Sequence, residues 1–431
     1  MTRRFQEFVG FFSEERGNWV KSYRTLLGNR LFVTYWTGST LVLLGLQFST
    51  IALVWFVLQT TGSPMRIAMV LAVIPIARVV TSSTVGWAMD RFPRRTLMIL
   101  DNAAQAAVYL SIPLLTWVHR LSFPLLVGLV AVAAALSPIS MIGRGVLLPN
   151  IVADGELERA NGLSQVRSSL VTLGGPALGG VLVGFAGAPI TLTVISACYI
   201  LYVLSLWTIP AARYRAPAPQ SPQDSPAEPE PVSARRFLLQ NPLFLLFVVI
   251  TLFFNLTYGP LEPALPLLVT RVFHAGAATL GLIWSSFAVG LLLGTISWNQ
   301  YRPRWTLRAL ISGIILGWGF FSGVAGLAVR PWQAMLALFC GGFVFAPYNI
   351  VSATWQQRLV PDRYRGAVYG MTQSVTSAGL PVGQLIGGLA VNGIGAKATI
   401  VAGGAATMLL GMAVSGLKTM WHSAANRSGE G

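Results

Sequence analysis

Acidic residues are scarce in this chain: 14 Asp and Glu stand against 30 Lys and Arg in 431 residues, and charged side chains of both signs make up only 10%. Soluble domains carry about 25% charged residues. With 54% hydrophobic residues, the composition excludes an ordinary water-soluble domain and implies an integral membrane protein. Cysteine is limited to Cys198 and Cys340; both sit inside apolar runs, which excludes a disulfide framework and makes them small buried hydrophobes. The three histidines, His119, His274 and His422, have no metal-ligand spacing, so no metal is implied. No catalytic constellation and no Gly-rich Lys-Ser/Thr phosphate loop is visible. An enzyme is therefore not expected, and no cofactor is implied. The first residues are charged and aromatic rather than a short apolar core, so no cleavable signal peptide is expected.

Long apolar runs are what the chain has instead. Twelve can be read, at about 31–58, 67–89, 96–118, 121–143, 162–185, 188–210, 242–268, 278–299, 306–328, 332–354, 367–391 and 398–420. Crossing a bilayer as a helix takes about 20 residues, so the predicted fold is an all-α membrane protein of twelve transmembrane helices with both termini on one side. Placing the termini and the turn at 86–95 on that side leaves five basic residues opposite (Arg66, Arg120, Arg271, Arg330, Lys397), with Arg78 mid-membrane in the second run. The positive-inside rule makes the rich side cytoplasmic. The net charge of +16 is then a topology signal, and no nucleic-acid partner is expected.

Composition also divides the chain. Residues 1–30 form a cytoplasmic segment with Phe5, Phe8, Phe12, Trp19 and Tyr23 at roughly helical spacing among arginines and a lysine, which reads either as an amphipathic helix on the membrane surface or as a tail with chance aromatics. Residues 31–210 hold six runs, 211–241 a Pro-rich cytoplasmic linker, 242–420 six more, and 421–431 a cytoplasmic tail. The loop between the fourth and fifth runs, 144–161, mixes Arg144 and Arg159 with Asp154, Glu156 and Glu158 and reads as solvated.

Polar residues within the runs are few. The first run holds Gln47 and no acid, the second Arg78, the third Asp101, and the seventh Glu262 among Pro260, Pro263 and Pro266. A charge within the hydrocarbon costs at least about 2.5–3.5 kcal/mol on insertion scales, so it faces a partner or a wet cavity. Arg78 and Asp101 lie on neighbouring helices and suggest each other as partners. Their side chains lean in opposite directions, however, because helical side chains point toward their own N-termini. Asp101 and Glu262 are the only acids inside the runs, and removal of a carboxyl from water favours its neutral form. Both are therefore candidates for carrying a proton.

Three patterns bear on function. Gly86, Asp90, Arg91, Arg94 and Arg95 form a short basic turn between the second and third runs. In the fifth run, Gly162 is followed by Gly175-Pro176-Ala-Leu-Gly179-Gly180, glycines that admit a close neighbour and a proline that removes a backbone donor. A shift of 208 residues superimposes Gly162 on Gly370, Gly175 on Gly383 and Gly179-Gly180 on Gly387-Gly388, with Pro176 falling on Gln384. The two halves are copies of one another.

The turn resembles the signature loop of the major facilitator superfamily, with Pro93 where members often have Gly. The fifth run resembles the motif of drug-exporting antiporters in that superfamily, with Val171 where the pattern has Gly. The nearest likeness is to bacterial exporters of macrolide and enterobactin type. This resemblance implies two pseudo-symmetric six-helix bundles, alternating access, and export of a small lipophilic or amphipathic molecule, drug or siderophore-like, in exchange for protons. It also implies a multi-pass protein of the bacterial inner membrane, working as a monomer among membrane lipids. Some proton-coupled members carry an acid in the first helix, where this chain has Gln47. The alternatives are a lysolipid translocator of the same fold and a non-transporting membrane scaffold. In the family the loop's Asp and Arg residues are implicated in gating, and Asp90→Asn is accordingly expected to slow turnover while leaving substrate affinity in detergent nearly unchanged, as measured by vesicle transport and equilibrium binding.

Overall fold

In a computed structural model of the chain, residues 25–214, 241–301, 305–360 and 365–417 are described, and among them regular structure is entirely helical. The N-terminal tail and most of the Pro-rich linker lie outside the described residues. The first bundle contains α1 (Arg30–Thr61), α2 (Pro64–Arg91), α3 (Arg94–Trp117) and α4 (Phe123–Ile151). It closes with the helix Leu157–Thr208, which breaks at Gly187 (φ 81°, ψ 162°) into α5 (157–186) and α6 (188–208). The second bundle contains α7a (Pro242–Tyr258), α7b (Leu261–Arg271), α8 (Ala277–Gln300), α9 (Leu307–Leu327) and α10 (Pro331–Leu359). Its last helix, Arg365–Gly416, breaks at Gly395 (φ 83°, ψ 166°) into α11 (365–394) and α12 (396–416). Among the described residues ten helical stretches, α7a and α7b together forming one, are long and apolar enough to span a bilayer, and two of them cross twice. The result is twelve crossings in two six-helix bundles.

Local chemistry sets the helix ends. Asn29 accepts hydrogen bonds from the amides of Leu31 and Phe32 at 3.1 and 3.2 Å, satisfying donors that have no partner within α1. Gly62 then ends α1 in the left-handed region (φ 60°), and Ser63 caps α2 ahead of Pro64. The two double-length helices break at glycines 208 residues apart, so the internal repeat extends to backbone torsion.

One sequence boundary needs correction. The fourth run, read as ending at 143, continues as helix to Ile151, and α5 begins at Leu157, leaving only a short connection with a 3-10 turn at Asp154–Glu156. Arg144 interrupts the hydropathy but not the helix, because Leu147, Leu148 and Ile151 beyond it are buried against the bundle.

The bundle ends nearest the linker form the linker face, and the opposite ends form the far face. Close inter-bundle packing is concentrated toward the far face. A Cβ built on Gly180 of α5 would sit 2.6 Å from the Ala277 carbonyl oxygen of α8, and one on Gly388 of α11 would sit 2.6 Å from Ala68 Cβ and 3.1 Å from Met65 Cα of α2. The Ala177 amide also donates to Ser285 Oγ of α8 at 3.1 Å. Toward the linker face, Gln165, Ser169 and Thr172 on α5 and Gln373 and Ser374 on α11 are exposed. Polar side chains at membrane depth face a wet cavity rather than lipid, so the bundles are closed at the far face and leave a polar vestibule toward the linker face.

Because the Gly388 contact joins two bundles rather than filling one core, Gly388→Leu is expected to spare the fold while opposing this closure by about 1–3 kcal/mol, the usual cost of overpacking. Spin labels at Arg120 and Arg330, in a background with both cysteines replaced by alanine, are expected to move apart in the variant. An unchanged distance distribution would refute the assignment.

Candidate transport cavity and ionisable groups

The centre of the molecule contains a cavity of about 280 Å³, bounded by Gln47, Ile51 and Val54 of α1, Thr172 and Pro176 of α5, and, across from them, residues of α7 and α8. Its second-bundle wall is aromatic. Tyr258, Trp284 and Phe287 line it, and the buried Trp318 of α9 backs Tyr258 and Phe287 at ring-centroid distances of 5.8 and 5.3 Å.

Glu262 projects into this space because of its neighbours in the chain. Pro260 and Pro263 supply no amide hydrogens, and the helix breaks between Tyr258 and Leu261. Leu261 begins the helix again, and the Glu262 amide in its first turn reaches the Gly259 carbonyl at 3.3 Å. Its carboxylate accepts from Gln384 Nε2 at 2.6 Å and hydrogen-bonds with the Tyr258 side chain. Among the described cavity-lining residues Glu262 is the only carboxylic acid. Gln384 occupies the repeat position of Pro176: one half bends its helix there, and the other supplies a donor to the acid. The sequence showed that substitution only as the loss of a proline; a polar residue at a repeat position that is otherwise apolar or structural was the available signal.

Asp101 lies elsewhere, buried at 1% exposure within the first bundle. It accepts from Gln105 Nε2 at 2.7 Å and from the Ser140 hydroxyl of α4. Arg78 does not pair with it. The Arg78 Nε donates to Ser137 Oγ at 3.1 Å, as the opposite leanings of the two side chains require. Instead, Arg78 lines a second, polar cavity of about 190 Å³ with Gln47, Ser49, Thr50, Gln105 and Tyr109. Gln47 and Thr50 border both cavities, and Gln105 borders the second while holding Asp101. Polar groups thus connect the Glu262 cavity to Asp101.

The motif glycines have different surroundings. Gly175 packs on Gln47 and Gly179 on Phe48, both of α1, whereas Gly162 has open space around it. Pro176 places its carbonyl against Gly281 of α8. At the signature turn, Arg91 ends α2, Arg94 Nε donates to the Met89 carbonyl at 3.3 Å, and Arg95 Nη2 donates to the Trp207 carbonyl at the end of α6 at 2.9 Å. Cations at a helix C-terminus complement its dipole, so these arginines also fasten the turn. Of Gly86 and Asp90 only the helical backbone is described.

The family model for transmembrane secretion effectors matches residues 22–428. Among curated proteins, the multidrug efflux pump Tap of Mycobacterium tuberculosis (strain ATCC 25618 / H37Rv) is 26% identical over 366 residues, covering 82% of this chain and 85% of the relative. Macrolide efflux protein A of Streptococcus pyogenes is 23% identical over 372 residues, covering 84% and 90%. Among solved structures, the nucleoside transporter NupG superposes with a TM-score of 0.73 at 15% identity over 90% of this chain and 99% of the other. A bacterial homologue of ferroportin in an inward-facing state superposes with a TM-score of 0.68 at 16% identity, covering 89% and 98%. These proteins are transporters rather than enzymes. With nearly its whole length matched by the family model and its helices arranged as in these folds, the chain belongs to the transmembrane secretion effector family, a branch of the major facilitator superfamily of transporters.

Proposed function

We propose that the protein is a proton-coupled exporter of small lipophilic or amphipathic molecules, working by alternating access in a bacterial cell membrane with its linker face toward the cytoplasm. The observation that carries this reading is the central cavity: an aromatic and aliphatic wall, contributed by both bundles, around one carboxyl group. Its volume of about 280 Å³ is near the lower end of the roughly 300–1,000 Å³ usual for small-molecule pockets. The vestibule extends it toward the linker face. Apolar walls accept apolar surface from the substrate, and Glu262 supplies the group whose protonation can be exchanged against binding. The efflux activities named for the relatives agree with this direction, as does the surplus of basic residues on the linker face.

In this mechanism the far-face contacts of α5 with α8 and of α2 with α11 open as contacts near the signature turn form. Substrate leaves while Glu262 takes up a proton from the far side. Asp101, joined to the cavity by Gln47, Thr50 and Gln105, returns the proton toward the linker side. Pro176 favours export by bending α5 where it meets α8.

Reconstituted protein should accumulate lipophilic dyes against a gradient only when a pH difference is imposed. Glu262→Gln and Asp101→Asn should each reduce pH-driven transport at least about tenfold while leaving downhill dye exchange intact. Full pH-driven transport in both variants would overturn proton coupling through these acids. Transport of lysolipid but of no dye would favour a lipid translocator.

The aromatic wall gives a separate expectation. Truncation of a buried aromatic contact removes about 3–5 kcal/mol in a protein core, and less where the ring faces a cavity. Trp284→Ala should weaken dye affinity about tenfold in equilibrium binding, with folding retained as judged by its gel-filtration profile. Unchanged affinity would place the substrate elsewhere.

A further inference from the structure

Arg144 and Arg167 lie inside helices, although neither stands out in the sequence as a membrane charge. Arg167 is 8% exposed and lies about 15 Å from the start of α5 at 1.5 Å per residue. Its Nη1 donates to the Trp36 carbonyl at 3.2 Å and to Ser39 Oγ, and its guanidinium carbon lies 5.7 Å from the Trp36 ring centroid. Arg144, on α4, is near enough for the two positive charges to act on one another. Tyr35 donates to the Arg144 carbonyl at 3.3 Å. Asp101 is the acid whose charge reaches Arg144, but neutral donors hold it. Among the described residues, no carboxylate pairs with either guanidinium.

Among the described residues, four polar atoms at this place are buried without a hydrogen-bond partner: Arg167 Nε, Arg144 Nη1, Trp36 Nε1 and Ser164 Oγ. Ser164 is one turn before Arg167 on α5. A buried donor left unpaired costs about 1–3 kcal/mol, more when it is charged. Two cations and several free donors together match a group with two or more acceptor oxygens and negative charge, which a guanidinium holds through paired hydrogen bonds. The neighbouring face of α5 carries the exposed Gln165 and Ser169 of the vestibule, so the cluster adjoins the route from the linker face. Thr172, on the wall of the central cavity, lies only about 7.5 Å farther along α5 than Arg167.

We propose that Arg144, Arg167, Trp36 and Ser164 form an oxyanion subsite that takes the carboxylate or phosphate head of an amphipathic anion, while its apolar tail enters the central cavity. The proposal rests on the exporter reading and narrows its substrate class to amphipathic acids. The charge of the head is met by the arginines, and the tail by the aromatic wall.

The test is equilibrium binding of dansyl-undecanoic acid and of its methyl ester to the full-length protein in nanodiscs of zwitterionic lipid. The acid should bind at least tenfold more tightly than the ester. Arg144→Gln should bring that ratio close to one without changing ester affinity; among the described residues Arg144 Nη1 has no hydrogen-bond partner for the substitution to strand. Trp36→Phe, which removes one donor and keeps the ring, should lower acid affinity severalfold. Equal binding of acid and ester by the wild type would overturn the subsite alone, whereas binding of neither would count against the cavity and the exporter reading together. Inorganic phosphate at 10 mM should leave the acid bound. Its complete displacement would assign the site to free oxyanions and overturn the amphipathic substrate. An unchanged acid-to-ester ratio in both variants would remove these residues from recognition.

Discussion

The structure depends on backbone meeting backbone where the two bundles touch. Between membrane helices there is no hydrophobic driving force to exploit, so association rests on close van der Waals packing and a few hydrogen bonds. Here α5 meets α8 through Gly180 and Gly281, and α11 meets α2 through Gly388. A side chain in any of these places would hold the surfaces apart. The same two helices turn another row of glycines toward their own bundles, Gly175 and Gly179 toward α1, Gly383 and Gly387 toward α7. Each is thereby both part of a bundle and part of the contact between bundles. In the proposed alternating access, motion of one bundle against the other would run through α5 against α8 and α11 against α2.

The repeat that created this symmetry also shows where the halves have been given different tasks. Pro176 presses its carbonyl against α8, while Gln384 at the matching position donates to Glu262. The second half has a broken helix, an acid and an aromatic wall. The first half has the polar cavity with Arg78, the buried Asp101 and the arginine pair. A largely apolar cavity wall is thus set opposite a bundle that keeps most of the buried ionisable groups.

Much of the architecture was legible in the sequence, because membrane crossing is imposed by length and apolarity and glycine spacing survives duplication. The breaks at Gly187 and Gly395 fall in the gaps between runs read at 162–185 and 188–210 and at 367–391 and 398–420. The partners of the buried polar groups were less legible. Asp101 is held by Ser140 and Gln105, neutral residues that carry no charge signal, so the nearest opposite charge on the adjoining helix, Arg78, drew attention instead. Arg144 looks like the start of a loop because one arginine interrupts a hydropathy window even when the helix continues. Arg167 is hidden for a related reason: it stands among serines and a glutamine near the start of an apolar run, and only tertiary packing shows it buried against Trp36 and Ser39 with its Nε unpartnered among the described residues.

The left-handed glycines at the far ends of α5 and α11 bear on how the protein is made. Each joins two crossings with no intervening loop, and the residues at the tips, Ala186 to Pro189 and Ile394 to Lys397, include only one charge, Lys397. Sending a polar loop through the hydrocarbon is a major cost of building a helical hairpin in a bilayer. These two hairpins largely avoid it. Each can enter the lipid as a single unit, so the helices through which the two bundles touch need no separate translocation of a hydrophilic segment.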